Sequence, residues 1–206
     1  MSDNTPISIP TSTTHARSVF RMARLDSRSA ILLTLTTGAL GAVLYAWLLT
    51  LPLPHLVVSL FVLGFSPAVV IIALVAAIRG PLAGFVTGYL GHVLNGLFHG
   101  TVLAMTLPAL AAGVMGLIVG ARSYDLKNGR SLAMLSLTAV VGYLLMTMLT
   151  VAVGFLVIVY SPLVLLGFVL LPMLTLGLPS VFLLTPVAAR LWQLIYDRAA
   201  PNRIRT

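Results

Sequence analysis

Apolar stretches follow one another along this chain, and the short breaks between them are of two kinds. Some breaks carry arginine or lysine. Others carry proline, serine, histidine or glycine and no lysine, arginine, aspartate or glutamate. The stretches predict membrane helices over about 29–49, 56–79, 81–98, 102–121, 132–159 and 164–196, each close to the roughly 20 residues needed to span a bilayer core or longer. The second is ambiguous. Ser66-Pro67 divides it, and the part after Pro67 covers only about 20 Å of a core about 30 Å thick. Either a helix starts near Leu56 and kinks at Pro67, or residues 51–66, opened by Leu51-Pro52-Leu53-Pro54-His55, form an apolar outer loop over the bundle, with the balance toward the loop. Residues 1–27 read as a cytoplasmic polar start followed by a basic amphipathic piece around Val19, Phe20 and Met22. They lack the cleavage pattern of a signal peptide. Residues 197–206 read as a basic cytoplasmic tail.

Charge turns this pattern into a topology. Lysine and arginine fall in four groups: Arg17 to Arg28, Arg79, Arg122 to Arg130, and Arg190 to Arg205. Positive loops stay in the cytoplasm. If all four groups lie on one side, two crossings separate each from the next. The expectation is an all-α integral membrane protein, a six-helix bundle with both termini cytoplasmic. Composition agrees: 59% of the 206 residues are hydrophobic and 8% are charged, against about 25% charged in soluble domains. In such a chain a net charge of +8 speaks for a membrane surface rather than nucleic acid.

Two stretches carry candidate chemistry. In the first helix Thr34, Gly38, Ala42 and Ala46 recur every fourth residue and make a smooth stripe, which either packs inside the protein or docks a partner. In the third, Pro81 suits a first helical position, and Gly84 and Gly88 offer a close-packing edge. Further along, His92, Asn95, Gly96 and His99 point within about 60° of one direction, flanked by Gly88 and Tyr89. His92 lies about 16 Å from Pro81 and His99 about 27 Å, so this face opens into the outer half. Tyr143, Thr147, Thr150 and Gly154 of the fifth helix are available to face inward. His92 is either a ligand contact or a neutral histidine bonded to a helix carbonyl, Thr147 or Thr150. His99 is either a contact or an interfacial residue. Pro172, Pro179 and Pro186 share a face of the last helix, and each frees a carbonyl four residues earlier.

Other chemistry is excluded by what the chain lacks. There is no cysteine and no glutamate, and the aspartates are Asp3, Asp26, Asp125 and Asp197. Paired carboxylates are missing and a metal shell is hard to assemble. No GxxxxGK[ST], GxSxG or HExxH motif occurs. The reading is a non-enzyme without cofactor or metal, embedded in the cell membrane, whose neutral pocket suits a small uncharged or cationic-aromatic molecule.

Ala39-Leu40-Gly41-Ala42-Val43-Leu44-Tyr45 and Arg79-Gly80-Pro81-Leu82-Ala83-Gly84-Phe85-Val86-Thr87-Gly88-Tyr89-Leu90-Gly91-His92 resemble the substrate-binding S components of energy-coupling factor (ECF) transporters. The resemblance covers roughly residues 29–100 in motif and the whole chain in helix count. It implies a binding subunit for a vitamin, vitamin precursor or similar micronutrient, with a transmembrane coupling subunit and two ATPase subunits as partners. It assigns docking to Thr34, Gly38 and Ala42. It makes residues 51–66, with His55, Phe61 and Phe65, a lid. The substrate-binding set is then Tyr89, His92, Asn95, His99, Tyr143 and Thr147. Within the S components the chain looks most like a poorly characterised group with a glycine-proline, glycine-rich third helix carrying Gly-hydrophobic-Gly-His. Where that group often has an acid just after the histidine, this chain has Asn95-Gly96, so recognition through that acid does not carry over. The reading from another class is a membrane scaffold or sensor whose glycine stripes only pack against a partner.

Overall fold

The computed structural model of the protein describes residues 28–51, 55–58, 61–64, 66–157 and 161–199. Within them the chain forms helices α1 (Arg28–Thr50), α2 (Ala68–Arg79), α3 (Pro81–Phe98), α4 (Val102–Gly120), α5 (Gly129–Leu156) and α6 (Pro162–Ala199). Between α1 and α2 two strands, β1 (His55–Val58) and β2 (Phe61–Gly64), pair antiparallel with His55 opposite Gly64 and Val58 opposite Phe61. The sequence leaves loop and helix open over this stretch, and the chain forms a hairpin there. Val57, Val58, Phe61 and Val62 are β-branched or aromatic, types that favour strands.

By length and composition α1, α5 and α6 are long and apolar enough to cross a membrane. The 28 residues of α5 and 38 of α6 extend about 42 and 57 Å, beyond a core about 30 Å thick. Helix α2, with 12 residues, covers only about 18 Å. Asn128 starts α5 by accepting the Arg130 N–H on its side-chain oxygen at 3.0 Å. This N-cap extends the helix three residues ahead of its apolar pattern at Leu132.

Small residues set the helix directions. Gly38, Gly41 and Ala42 of α1 meet Val86, Thr87 and Gly91 of α3 in rising order, so α1 and α3 run parallel. Gly84 and Gly88 of α3 meet Gly116 and Ala112 of α4, so those two run antiparallel. A Cβ on Gly84 would lie 2.7 Å from the Gly116 carbonyl oxygen and 2.5 Å from the Ala76 Cβ. That approach, backbone against backbone, is what small residues permit between helices in lipid. Gly80, at φ 98°, turns the chain from α2 into α3, and Gly100, at φ 67°, turns it from α3 into α4. Both values lie in the left-handed region that glycine adopts without a Cβ penalty. These directions gather Arg28, Arg79, Arg122, Lys127, Arg130, Arg190 and Arg198 at one end of the bundle. The hairpin joins α1 to α2 at the other.

Helix α6 is irregular where its prolines fall. Its turns at Leu165–Leu170 and Met173–Gly177 are π-helical, on either side of Pro172, where a missing N–H interrupts the usual ladder. Pro186 frees the Phe182 carbonyl four residues earlier, and Ser136 of α5 donates its hydroxyl to it at 2.5 Å. Tyr143 of α5 likewise donates to the Met173 carbonyl at 2.8 Å. Ser180 accepts the Ser66 N–H at 2.6 Å, tying the chain just after the hairpin to α6. Between these ties the core packs Tyr45, Ile72, Met115, Val119, Leu135 and Val181, all essentially inaccessible.

Candidate functional site

The polar half of α3 begins at Tyr89, the residue after the close glycine contact at Gly88. Tyr89 is half-buried and stacks on Phe85, ring centroids 5.8 Å apart and planes 6° from parallel. His92, also half-buried, meets Tyr45 of α1: its Nδ1 and the phenol oxygen are 3.1 Å apart and share a hydrogen bond. The two rings tilt 35° at a centroid distance of 5.3 Å. Parallel helices make this pair possible, since Tyr45 lies one turn beyond Gly41 as Gly91 lies one turn beyond Thr87. The side-chain partner of His92 is therefore Tyr45, and the Gly88 backbone one turn earlier in its own helix is also in hydrogen-bond reach. Thr147 and Thr150, the hydroxyls considered for it, donate instead to the carbonyls of Tyr143 and Met146 in their own helix.

Asn95 stands one turn further along. Its side-chain oxygen is buried and has no hydrogen-bond partner among the described residues. An amide oxygen held away from water without a donor is costly, by about 1–3 kcal/mol, and such atoms are rare. Gly96 is packed against the start of α4, where an added Cβ would meet Met105 at 3.0 Å. His99 ends the helix, exposed, and donates from Nδ1 to the Asn95 carbonyl at 2.8 Å.

Tyr143 and Thr147 are buried on α5. Tyr143 shares the core cluster with Tyr45, but its hydroxyl is taken by α6 and that of Thr147 by its own helix. The structure thus ties Tyr143 to α6 and leaves Thr147 bonded within α5. His55 and Phe61 stand in β1 and β2; Phe65 lies outside the described residues.

The stripe that the resemblance assigns to docking is buried within this chain. Thr34 and Ala42 are 1% and 0% exposed. A Cβ on Gly38 would lie 2.9 Å from Val86 of α3. From Gly38 to Ala42 the stripe lies against α3, where a row of small side chains meets an equally smooth helix. Leu40, Val43 and Trp47 form the exposed side of α1.

Two residues that complete the α1–α3 contact were not singled out by the sequence. Tyr45 carries the one phenol on α1 and follows the Gly38–Ala42 stripe at helical spacing, which is a usable signal. Thr87 is buried and donates to Gly38 O at 3.1 Å and to Ala83 O at 2.9 Å. Nothing in its type separates it from the threonines that bond only within their own helix.

The arrangement offers an aromatic platform at Phe85 and Tyr89, a polar pair at Tyr45 and His92, and an unpartnered acceptor at Asn95. No carboxylate joins them: the described acids, Asp125 and Asp197, are at the basic end. No group of three metal-ligating side chains occurs among the described residues. Fold and site define a multi-pass membrane protein with a neutral polar face and no catalytic constellation among the described residues.

Within that class, a family model for the S component of ECF-type riboflavin transporters matches residues 30–182, and the chain belongs to this family. Its family and its long apolar helices place it in the membrane as a multi-pass protein. A UPF0397 protein of Aliivibrio fischeri (strain MJ11) is 32% identical over 96 residues, covering 46% of this chain and 50% of its own. One of Vibrio atlanticus (strain LGP32) matches with the same identity and coverage, 32% over 96 residues. One of Aliivibrio salmonicida (strain LFI1238) is 33% identical over 88 residues, 42% of this chain and 46% of its own. The matched part spans about half the length of these curated relatives. No solved structure matches the chain.

Proposed function

We propose that this protein captures a vitamin-like molecule at the hairpin end of the bundle and delivers it to an ATP-driven module. The module consists of a transmembrane coupling subunit and two ATPase subunits. The observation that carries the reading is the buried, unpartnered Asn95 side-chain oxygen, beside the Tyr45–His92 pair and the Phe85–Tyr89 stack. Together they suit a flat, neutral ring system that presents an N–H or O–H donor. Riboflavin, which the family description names, has that chemistry and is the first ligand to try.

The basic end would face the cytoplasm, as the positive-inside rule requires. The segment 51–66, with His55, Phe61 and Phe65, would cover the outer approach to His99, Asn95 and His92. Tyr143 and Thr147 would support the site from behind rather than touch the ligand. The coupling subunit would meet the exposed side of α1 at Leu40, Val43 and Trp47, since the small-residue stripe is already occupied.

Affinity purification of tagged protein from its native membrane tests the partnership. Recovery of a coupling subunit with two ATPases is the expected result. Repeated recovery of the chain alone, from membranes where such subunits are present, would remove the transporter reading.

A further inference from the structure

The basic end of the bundle contains an unmatched set of cations. Arg122, Ser123, Tyr124, Asn128, Arg130 and Ser131 line a pocket of about 220 Å³ between the end of α4 and the start of α5. No acidic side chain lines it. Among the described residues the ion pair at this end joins Lys127 to Asp197 at 3.3 Å, so neither pocket arginine has a carboxylate partner. Asp125 uses its carboxylate to accept the Lys127 N–H at 3.0 Å and lines the neighbouring pocket instead.

Three more features favour an anion. Ser131 accepts the Asp125 N–H at 2.9 Å, which leaves its own hydroxyl hydrogen free to donate. The N-terminus of the 28-residue α5 opens here, with the positive end of its dipole. Gly129, its first residue, has nothing within 4 Å of where a Cβ would stand, so the mouth is open.

The position selects among anions. The pocket sits where α4 and α5 leave the apolar zone. Leu117, Leu137 and Val141 lie exposed further along the same two helices, where acyl chains would run. Basic pockets between helices at this level suit lipid head groups. We infer that Arg122 and Arg130 hold the phosphate of an anionic lipid headgroup in this pocket. The inference rests on the chain being membrane-embedded and not on which molecule it transports.

Native mass spectrometry of the full chain in detergent tests this, with phosphatidylglycerol, phosphatidylcholine of the same acyl chains, and inorganic phosphate as probes. One retained phosphatidylglycerol per chain is expected, and no retained phosphatidylcholine. Arg122→Ala with Arg130→Ala should weaken phosphatidylglycerol binding by about fivefold per arginine, the effect of one basic side chain near an anionic surface. Arg28→Ala with Arg198→Ala removes equal charge from the same end and should change binding less than twofold. Arg122→Lys with Arg130→Lys keeps the charge and guards against a folding artefact; it should retain preference for the anionic lipid. Equal binding of the two lipids, equal weakening by the two alanine pairs, or inorganic phosphate competing as well as the lipid would each overturn the assignment.

Discussion

The phenol of Tyr45 on α1 and the imidazole of His92 on α3 share a hydrogen bond of 3.1 Å at membrane depth. They are brought together by the parallel course of two helices whose glycines let the backbones approach. The pair links the edge of α3 that packs to the face that carries Asn95. Cross-helix hydrogen bonds of this kind contribute about 0.6 kcal/mol on average and up to about 1.7. A double-mutant cycle of Tyr45→Phe and His92→Ala, read by unfolding in detergent, should give a coupling energy in that range. A coupling indistinguishable from zero would show that the bond does not hold α1 to α3.

The close approach of α3 to α4 sets a second expectation. Gly84→Ala places a methyl 2.7 Å from the Gly116 carbonyl oxygen, and backbone cannot yield as a side-chain tip can. Overpacking of this kind costs about 1–3 kcal/mol. Gly167→Ala is the contrast, because a Cβ there meets nothing within 4 Å; it should be neutral or stabilising by up to about 1 kcal/mol. Thermal unfolding of the two variants should separate in that order. A Gly84→Ala protein as stable as the parent would mean the interhelical distance is wrong.

Ser136 donates to the Phe182 carbonyl that Pro186 leaves free. Ser136→Ala should therefore destabilise the bundle by about 1–2 kcal/mol, the cost of a buried carbonyl left without its donor. Restoring a regular helix with Pro186→Ala should remove most of that penalty, since the carbonyl regains its own N–H. If the two changes are strictly additive, Ser136 does not serve this carbonyl.

Much of the fold was legible because lipid makes simple demands. Apolar length and the placing of Arg79, Arg122 and Arg190 lead to six helices. The Gly80-Pro81 pair marks the turn between α2 and α3, where φ 98° needs glycine. What was not legible depends on pairing. The Thr34–Gly38–Ala42 stripe announces a close contact but not its partner, and α3 proved to be that partner. The hairpin at 55–64 was hidden because its apolar residues suit a buried strand as well as a helix. His92 and Asn95 could be named from the helical period alone. Tyr45 could not be joined to them without the parallel course of α1.

Asn95 should separate stability from binding. Asn95→Leu removes a buried oxygen that has no partner, so the empty protein should be as stable as the parent or more so. The same change removes an acceptor from the proposed ligand, and affinity should fall about tenfold or more, the loss of one buried hydrogen bond. Titration with riboflavin, followed by flavin fluorescence, together with thermal unfolding of the ligand-free protein checks both halves. Unchanged affinity would take Asn95 out of the site.

The most direct measurement is native mass spectrometry of the full chain released gently from its own membrane. The account predicts a single small neutral molecule bound one to one, bearing an N–H or O–H donor and displaced by its own excess. Protein that repeatedly emerges free of any small molecule, and shows no saturable binding of riboflavin or its precursors, would contradict it.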